Sequence, residues 1–219
     1  VNTTVVSGNV GTGGGNDLEA VNLATGAGIT TTFGGTVDAL SVDVTGAGIV
    51  AFTDDVTTAE LIDAGDATYN ITADKKFVGS IDTDAGANEG TFNFAATTTD
   101  TVLVSGTVGD SRSVKAITVA PATGVTATFT GAVDVATMTH SGAGTVTLGS
   151  TLGAGEASDI DISGGGTVNI GGIVGGGAAS DVDNTSGADG SGTLVLTTNG
   201  TNFTGNIGAT NSLASERSE

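Results

Sequence analysis

Two pairs of acids stand closest to chemistry in this sequence, Asp54–Asp55 and Asp159–Asp161, because neighbouring carboxylates can divide acid and base work at a glycosidic bond. Neither pair is echoed by the basic or aromatic residues that grip a sugar, and surface solvation accounts for both. His140, the only histidine, falls opposite Val44 when the two halves of the chain are aligned. A position that accepts valine does not suit a general base, so His140 is expected to be packed or at the rim. There is no Gly-x-Ser-x-Gly turn and no cysteine, which removes the nucleophilic triads. The expectation is therefore a protein that is not an enzyme, with a secreted carbohydrate-active β-helix as the alternative.

Calcium is the one ion the sequence suggests. Gly13 to Leu18 reads GGGNDL, a single copy of the Gly-Gly-x-Gly-x-Asp pattern that binds Ca²⁺ between turns of a β-roll when it recurs. The corresponding loop in the second half reads DSRS at Asp110 to Ser113, so no full oxygen cage is written. Asp17, Glu19, Asp54 and Asp55 are the calcium candidates, with Asp181, Asp183 and Asp189 as further carboxylates that could capture the ion loosely. No other cofactor is expected. Thr-x-Thr pairs at Thr30/Thr32, Thr126/Thr128 and Thr145/Thr147 raise the thought of an ice-binding face, but they do not recur on every coil and ordinary β propensity explains them.

These residues have to be positioned by something, and the chain supplies it by repetition. Thr25 to Phe52 is written again 96 residues later as Pro121 to Leu148, and VSGNVG at Val6 to Gly11 recurs as VSGTVG at Val104 and FTGNIG at Phe203. A fixed period means units that pack on their neighbours. The units are residues 1–97, residues 98–197, and an incomplete third unit with a polar tail at 198–219. Within them, short alternating runs of Val, Ile, Thr and Phe are broken by Gly, Ala, Asp and Asn, as strands are by turns. Ile29–Phe33, Val37–Val44, Ile49–Phe52, Val125–Phe129, Val133–Thr139 and Thr145–Leu148 are the clearest; only Thr57–Ile62 suits a helical turn.

Strand starts lie about 20 residues apart, the length of one coil of a parallel β-helix whose rungs are about 4.8 Å apart. The reading is an all-β, right-handed parallel β-helix or β-solenoid of about 98-residue units, each of five coils, with tandem β-sandwich domains as the alternative. The glycines of GAG at Gly46–Gly48 and Gly142–Gly144, and of Gly34–Gly35, are expected to turn corners at positive φ. Phe33 and Phe129 are expected to point inward at equivalent levels of the two units.

Composition narrows the partners. There are 24 acids against five Lys and Arg, a net charge of −19, which excludes nucleic acid and anionic membrane surfaces as natural partners. No apolar run approaches the length of a membrane span, so direct membrane insertion is not expected. Zero cysteine suits export. The chain starts at Val1 and reads as a piece of something longer.

With the repeats aligned, VSGNVGTGGGNDLEAVNLATGAGITTTFGGTVDA and FTGNIGATNSLA resemble repeat segments of the passenger domains of bacterial autotransporter surface antigens, the rickettsial outer-membrane type most of all. The shared pattern is a GNIG-like turn, a Leu-Ala or Leu-Glu-Ala step, an Asn-bearing strand, a GAG turn and a Gly-Gly-Thr-Val strand. It covers Gly8–Ala39, Gly106–Val135 and Gly205–Ala214, while Asp54–Asn88 and Gly149–Asp189 match only in composition. The resemblance implies an extracellular β-helical passenger at the bacterial cell surface that serves adhesion or coat formation. The expected function is thus a structural or adhesive segment of a fibre, coat or stalk, with a calcium-dependent surface-layer protein as a further alternative. Its expected partners are further copies of itself, neighbouring repeats of a longer parent, or a host surface or glycan.

Overall fold

A strand buried on one side alternates inward apolar and outward polar residues, and that alternation recurs in nearly every element of the computed structural model. The structure describes residues 2–11, 18–84, 86, 88–153, 157–172, 180–197 and 203–218. In chain order the strands are β1 (Asn2–Val6), β2 (Leu18–Ala24), β3 (Ile29–Phe33), β4 (Val37–Thr45), β5 (Ile49–Phe52), β6 (Val56–Asp63), β7 (Thr68–Ile71), β8 (Phe77–Thr83), β9 (Glu89–Phe94) and β10 (Thr101–Val104). They continue with β11 (Val114–Val119), β12 (Thr126–Phe129), β13 (Val135–His140), β14 (Thr145–Leu148), β15 (Asp159–Ile162), β16 (Thr167–Ile170), β17 (Val182–Asn184), β18 (Thr193–Leu196) and β19 (Ser215–Ser218). The odd-numbered strands from β1 to β17 form one nine-stranded sheet, the odd sheet; the even-numbered strands, with β19 added beside β18, form a ten-stranded one, the even sheet; all their pairings are parallel. The chain is a β-solenoid. There is no helix among the described residues, and Thr57–Ile62 lies inside β6, where Leu61 is packed in the core and Glu60 faces out.

Inward side chains stack in ladders that run the length of the stack. In the odd sheet Val6, Phe33, Phe52, Ile71 and Phe94 lie in register, and the same row continues through Val119, His140, Ile162 and Asn184. In the even sheet one ladder runs Val10, Val37, Val56, Phe77, Val104, Phe129, Leu148, Ile170 and Leu196. A second runs Val21, Val42, Leu61, Ile81, Val108, Val133 and Leu152. A register shift at Thr57/Glu60 separates these two rows on β6, so the even sheet bends into two facets. Aromatic rings add contacts to the ladders: Phe33 and Phe52 stack at 5.4 Å, Tyr69 and Phe92 at 4.4 Å, and Phe94 meets Phe129 edge-on at 5.7 Å across the core.

The written repeat and the geometric repeat do not coincide. From β3 the odd sheet is revisited at β5, β7, β9 and β11, four turns, and the chain then travels one facet further to reach β12, which holds the copy of β3. Phe33 therefore sits in the odd sheet and Phe129 in the even one, while Val37 and its copy Val133 occupy different facets of the even sheet. Both phenylalanines are buried, at 2% and 0% exposure, but not at equivalent places. One unit spans four and one-third turns instead of five, because turns range from 19 residues (Val37 to Val56) to 27 (Phe77 to Val104). The ladders pass the 97/98 boundary without a break.

Glycine is at the corners for a different reason from the one expected. Of Gly46, Gly48, Gly142 and Gly144, only Gly46 has a positive φ, 115°. At Gly142 a Cβ would collide with the backbone of Ala120 and Pro121, and at Gly144 with the carbonyls of Ala122 and Val125. Successive corners lie backbone on backbone, which leaves no room for a side chain.

Replacing Phe33 or Phe129 by Ala should cost about 3 kcal/mol each, the usual loss for a buried ring, read from urea unfolding midpoints. Changes near zero at both positions would show that the rings are outside the core.

Candidate functional site

The solenoid offers three kinds of surface: corners, outward rows on the flat sheets, and shallow grooves between corners. At the corners, carboxylates act as clips between turns, and of the five described first only Asp189 was marked by the sequence. A corner lacks the regular ladder of a strand, so its N–H groups need an acceptor from elsewhere. Asp74 accepts from the Thr98 N–H and hydroxyl at 2.7 Å each and from the Thr99 N–H at 3.0 Å, one turn further along. Asp100 accepts from the Thr126 N–H at 2.7 Å, Asp66 from Gly90 at 3.2 Å, and Asp189 from Ser212 at 3.0 Å. Asp82, 6% exposed, accepts from the N–H groups of Thr83, Ser111 and Arg112. The sequence signal for these clips was an Asp followed 23 to 29 residues later by a Thr, Ser or Gly. It is invisible until the length of each turn is known.

Of the calcium candidates, the neighbours Asp54 and Asp55 are part of this system. Asp54 pairs with Lys75 Nζ at 2.7 Å, and Asp55 accepts from the Lys76 N–H at 3.1 Å. The ammonium of Lys75, with the Asp55 N–H, holds the Asp54 carboxyl below its ordinary range. Glu19 is exposed on β2, and Asp17 lies outside the described residues. Asp181 accepts from the Asn206 N–H at 2.7 Å and Asp183 from Thr210 at 3.1 Å. Among the described residues no three His, Asp or Glu side chains converge as a metal cage.

Asp159 and Asp161, the second acid pair, face outward on β15, and Asp161 registers against Asp183 of β17. Burial, then Asp183 and Asp159, push the Asp161 carboxyl up. A groove of about 290 Å³ is lined by Asn9, Thr36, Asp38, Asp55 and Lys76, and one of about 230 Å³ by Glu60, Asp82, Asp84, Ser111 and Arg112. No aromatic side chain lines either groove; Tyr69 and six phenylalanines are buried in the core.

The outward rows are more regular than the sequence led one to expect. On the even sheet Thr126, Thr145, Thr167 and Thr193 occupy successive rungs, with Thr128, Thr147, Asn169 and Val195 beside them. On the odd sheet Thr30, Ile49, Thr68, Thr91, Ala116 and Thr137 form one row and Thr32, Ala51, Asn70, Asn93, Thr118 and Thr139 the next. Uneven turn lengths hid this recurrence. None of these positions is charged in a chain with 24 acids; charged side chains stand at the corners, on the first strands of the even sheet at Glu19, Asp38, Asp43 and Glu60, at Glu89 and Lys115 of β9 and β11, and at the Asp159–Asp161–Asp183 end of the odd sheet.

Two of the polar groups that lie inside are ionisable and fully buried. Asp63, fully buried, accepts from the Tyr69 hydroxyl at 3.0 Å and from the Ala67 N–H; burial pushes its carboxyl up, and the Tyr69 hydroxyl is raised by burial and by Asp63. His140 is also fully buried, which accords with the packed role expected of it.

The hydrogen bonds from Thr98 and Thr99 hold the Asp74 carboxyl down to about 2. A carboxylate whose folded value lies below its unfolded one adds stability above about 3.9, lost as pH falls through the folded value. The Thr98 and Thr99 amides should therefore stay protected from hydrogen exchange until the pH approaches 2. In Asp74→Ala they should exchange freely at neutral pH; unchanged protection in that variant would remove the clip.

No family model matches the chain, and no curated protein or solved structure is significantly similar to it.

Proposed function

We propose that the chain is a structural and adhesive segment of an extracellular bacterial surface protein, a β-solenoid stalk that continues axially through further rungs. These rungs come from neighbouring repeats of a longer parent or from other copies. The observation that carries this reading is the run of uncharged outward rows on both sheets. Acids are spent on holding one corner to the next, while both sheets present uncharged rows of hydroxyl and amide groups. Such a surface has no concentrated chemical centre, as a spacer or coat requires, and offers a repetitive contact face to a glycan or host surface. Cysteine-free, acid-rich composition and the likeness of Gly8–Ala39 to autotransporter passengers support the location.

Axial growth uses strand edges. β1 is the edge of the odd sheet among the described residues, and at the other end Ile207 bridges to Val182 of the same sheet. Parallel pairing of β1 with a segment like that at Ile207 extends the sheet. Ile207 lies four residues beyond Phe203, where the third copy of the VSGNVG phrase begins.

Electron microscopy of the purified chain at high concentration should show rods or filaments that deletion of residues 1–6 abolishes, with the far-UV β signal of each subunit retained. A strictly monomeric particle would confine axial growth to the parent chain. A globule without a long axis would overturn the stalk.

A further inference from the structure

His140 carries a polar ring without partners into the inward ladder, where Asn184, the other polar side chain of the row, is hydrogen-bonded. It occupies the inward row of the odd sheet between Val119 of β11 and Ile162 of β15, at 0% exposure, and neither Nδ1 nor Nε2 has a hydrogen-bond partner. The ring is pressed onto the next corner: a Cβ at Gly166 would collide with its Cε1. The backbone around it is fully engaged, with Ser141 N–H on the Val119 carbonyl and Ser163 N–H on the His140 carbonyl, both at 2.9 Å.

No charge faces the ring. On β11 the only charged side chain is Lys115, exposed and paired with Asp66; on β15 Asp159 and Asp161 alternate outward while Ile160 and Ile162 point in. β13, β14, β16 and the corners 141–144 and 163–166 carry no other ionisable residue. The neutral imidazole is tolerated there at the cost of two unpaired polar atoms; an imidazolium would be a buried charge without a counter-ion or acceptor.

We propose that His140 is an acid latch: its protonation opens the solenoid locally at the turn formed by β13 and its neighbours β11 and β15, loosening the C-terminal rungs from the aromatic-cored rungs that precede them. The position is suited to this. Turns of a solenoid touch only their neighbours, so a charge at one rung acts on two interfaces and leaves distant rungs intact. The Phe and Tyr pairs that stiffen the core all precede β13.

The direction follows from linkage. Burial lowers the ring from 6.5 to about 4. The open state binds the proton more tightly, so opening is unaffected above about 6.5, grows as pH falls below it, and levels off near the folded value. Between pH 7 and pH 5 that gap amounts to about a twentyfold rise in the opening equilibrium.

Two measurements test the latch. Hydrogen exchange, corrected for the intrinsic rate, should show about a twentyfold loss of protection from pH 7 to pH 5 at amides of β11, β13 and β15, with none at β3, β5 and β7. His140→Val, which restores the residue type at Val44 of the first unit, should abolish that dependence and be at least as stable as the parent at pH 7. Because His140 is the only histidine, its single imidazole resonance can be titrated in the unaltered protein. A ring that titrates near 6.5 without loss of protection would overturn the latch, as would a His140→Val protein that opens with acid as the parent does.

Discussion

The structure depends on a single constraint: the backbone groups of each turn are satisfied by the turn above and the turn below, and by little else. On the sheets this is automatic, since parallel strands in register supply a donor for every acceptor. At the corners it is not. There the chain has two devices, glycines that let one backbone lie on another, as at Gly142 and Gly144, and aspartates that reach across to the next turn, as at Asp74 and Asp100. A high glycine content and a net charge of −19 are thus consequences of how turns are stacked. Repulsion among the acids acts at the Asp159–Asp161–Asp183 end of the odd sheet, and at Glu60, whose carboxyl is pushed up by burial and then by Asp82, Asp110 and Asp43.

Much of this architecture was legible because periodicity in a strand reports burial directly. Val37–Val44, Ile49–Phe52 and Thr145–Leu148 alternate strictly, and each is a strand with its apolar face inside. β6 was harder: Val56, Thr58 and Leu61 point inward across a register shift, so their spacing mimics a helical turn. β15 and β17 are short and half acidic, which reads as loop until Ile160, Ile162 and Val182 are seen in the ladder. Turn lengths are the deeper obstacle. Corners absorb insertions without disturbing the ladders, so the unit that evolution copied and the turn that geometry requires differ in length, and a copy lands one facet away.

The same distinction explains what could be said of the candidate residues. Asp54, Asp55, Asp181 and Asp183 carry a residue type used for ion binding, catalysis and capping alike, and only the partner decides among them. In each case that partner is a lysine or an N–H some 21 to 27 residues away. The histidine was different, since its alignment with Val44 already implied an interior position, and the ladder between Val119 and Ile162 supplies it. In the proposed function, the acids clipped at corners and the long uncharged rows on both sheets serve a mechanical or contact role.

Turns stack axially at the rung spacing of a parallel sheet. The chain has no cysteine, so spin labels at Thr32→Cys and Thr139→Cys would report a single distance. Those positions are joined through Ala51, Asn70, Asn93 and Thr118, five rungs in all, which places their backbones about 24 Å apart. A narrow distribution near that value, widened only by the label arms, is the predicted result. A separation of about 34 Å or more, the diameter of a 100-residue globule, would mean two side-by-side domains and would contradict the solenoid.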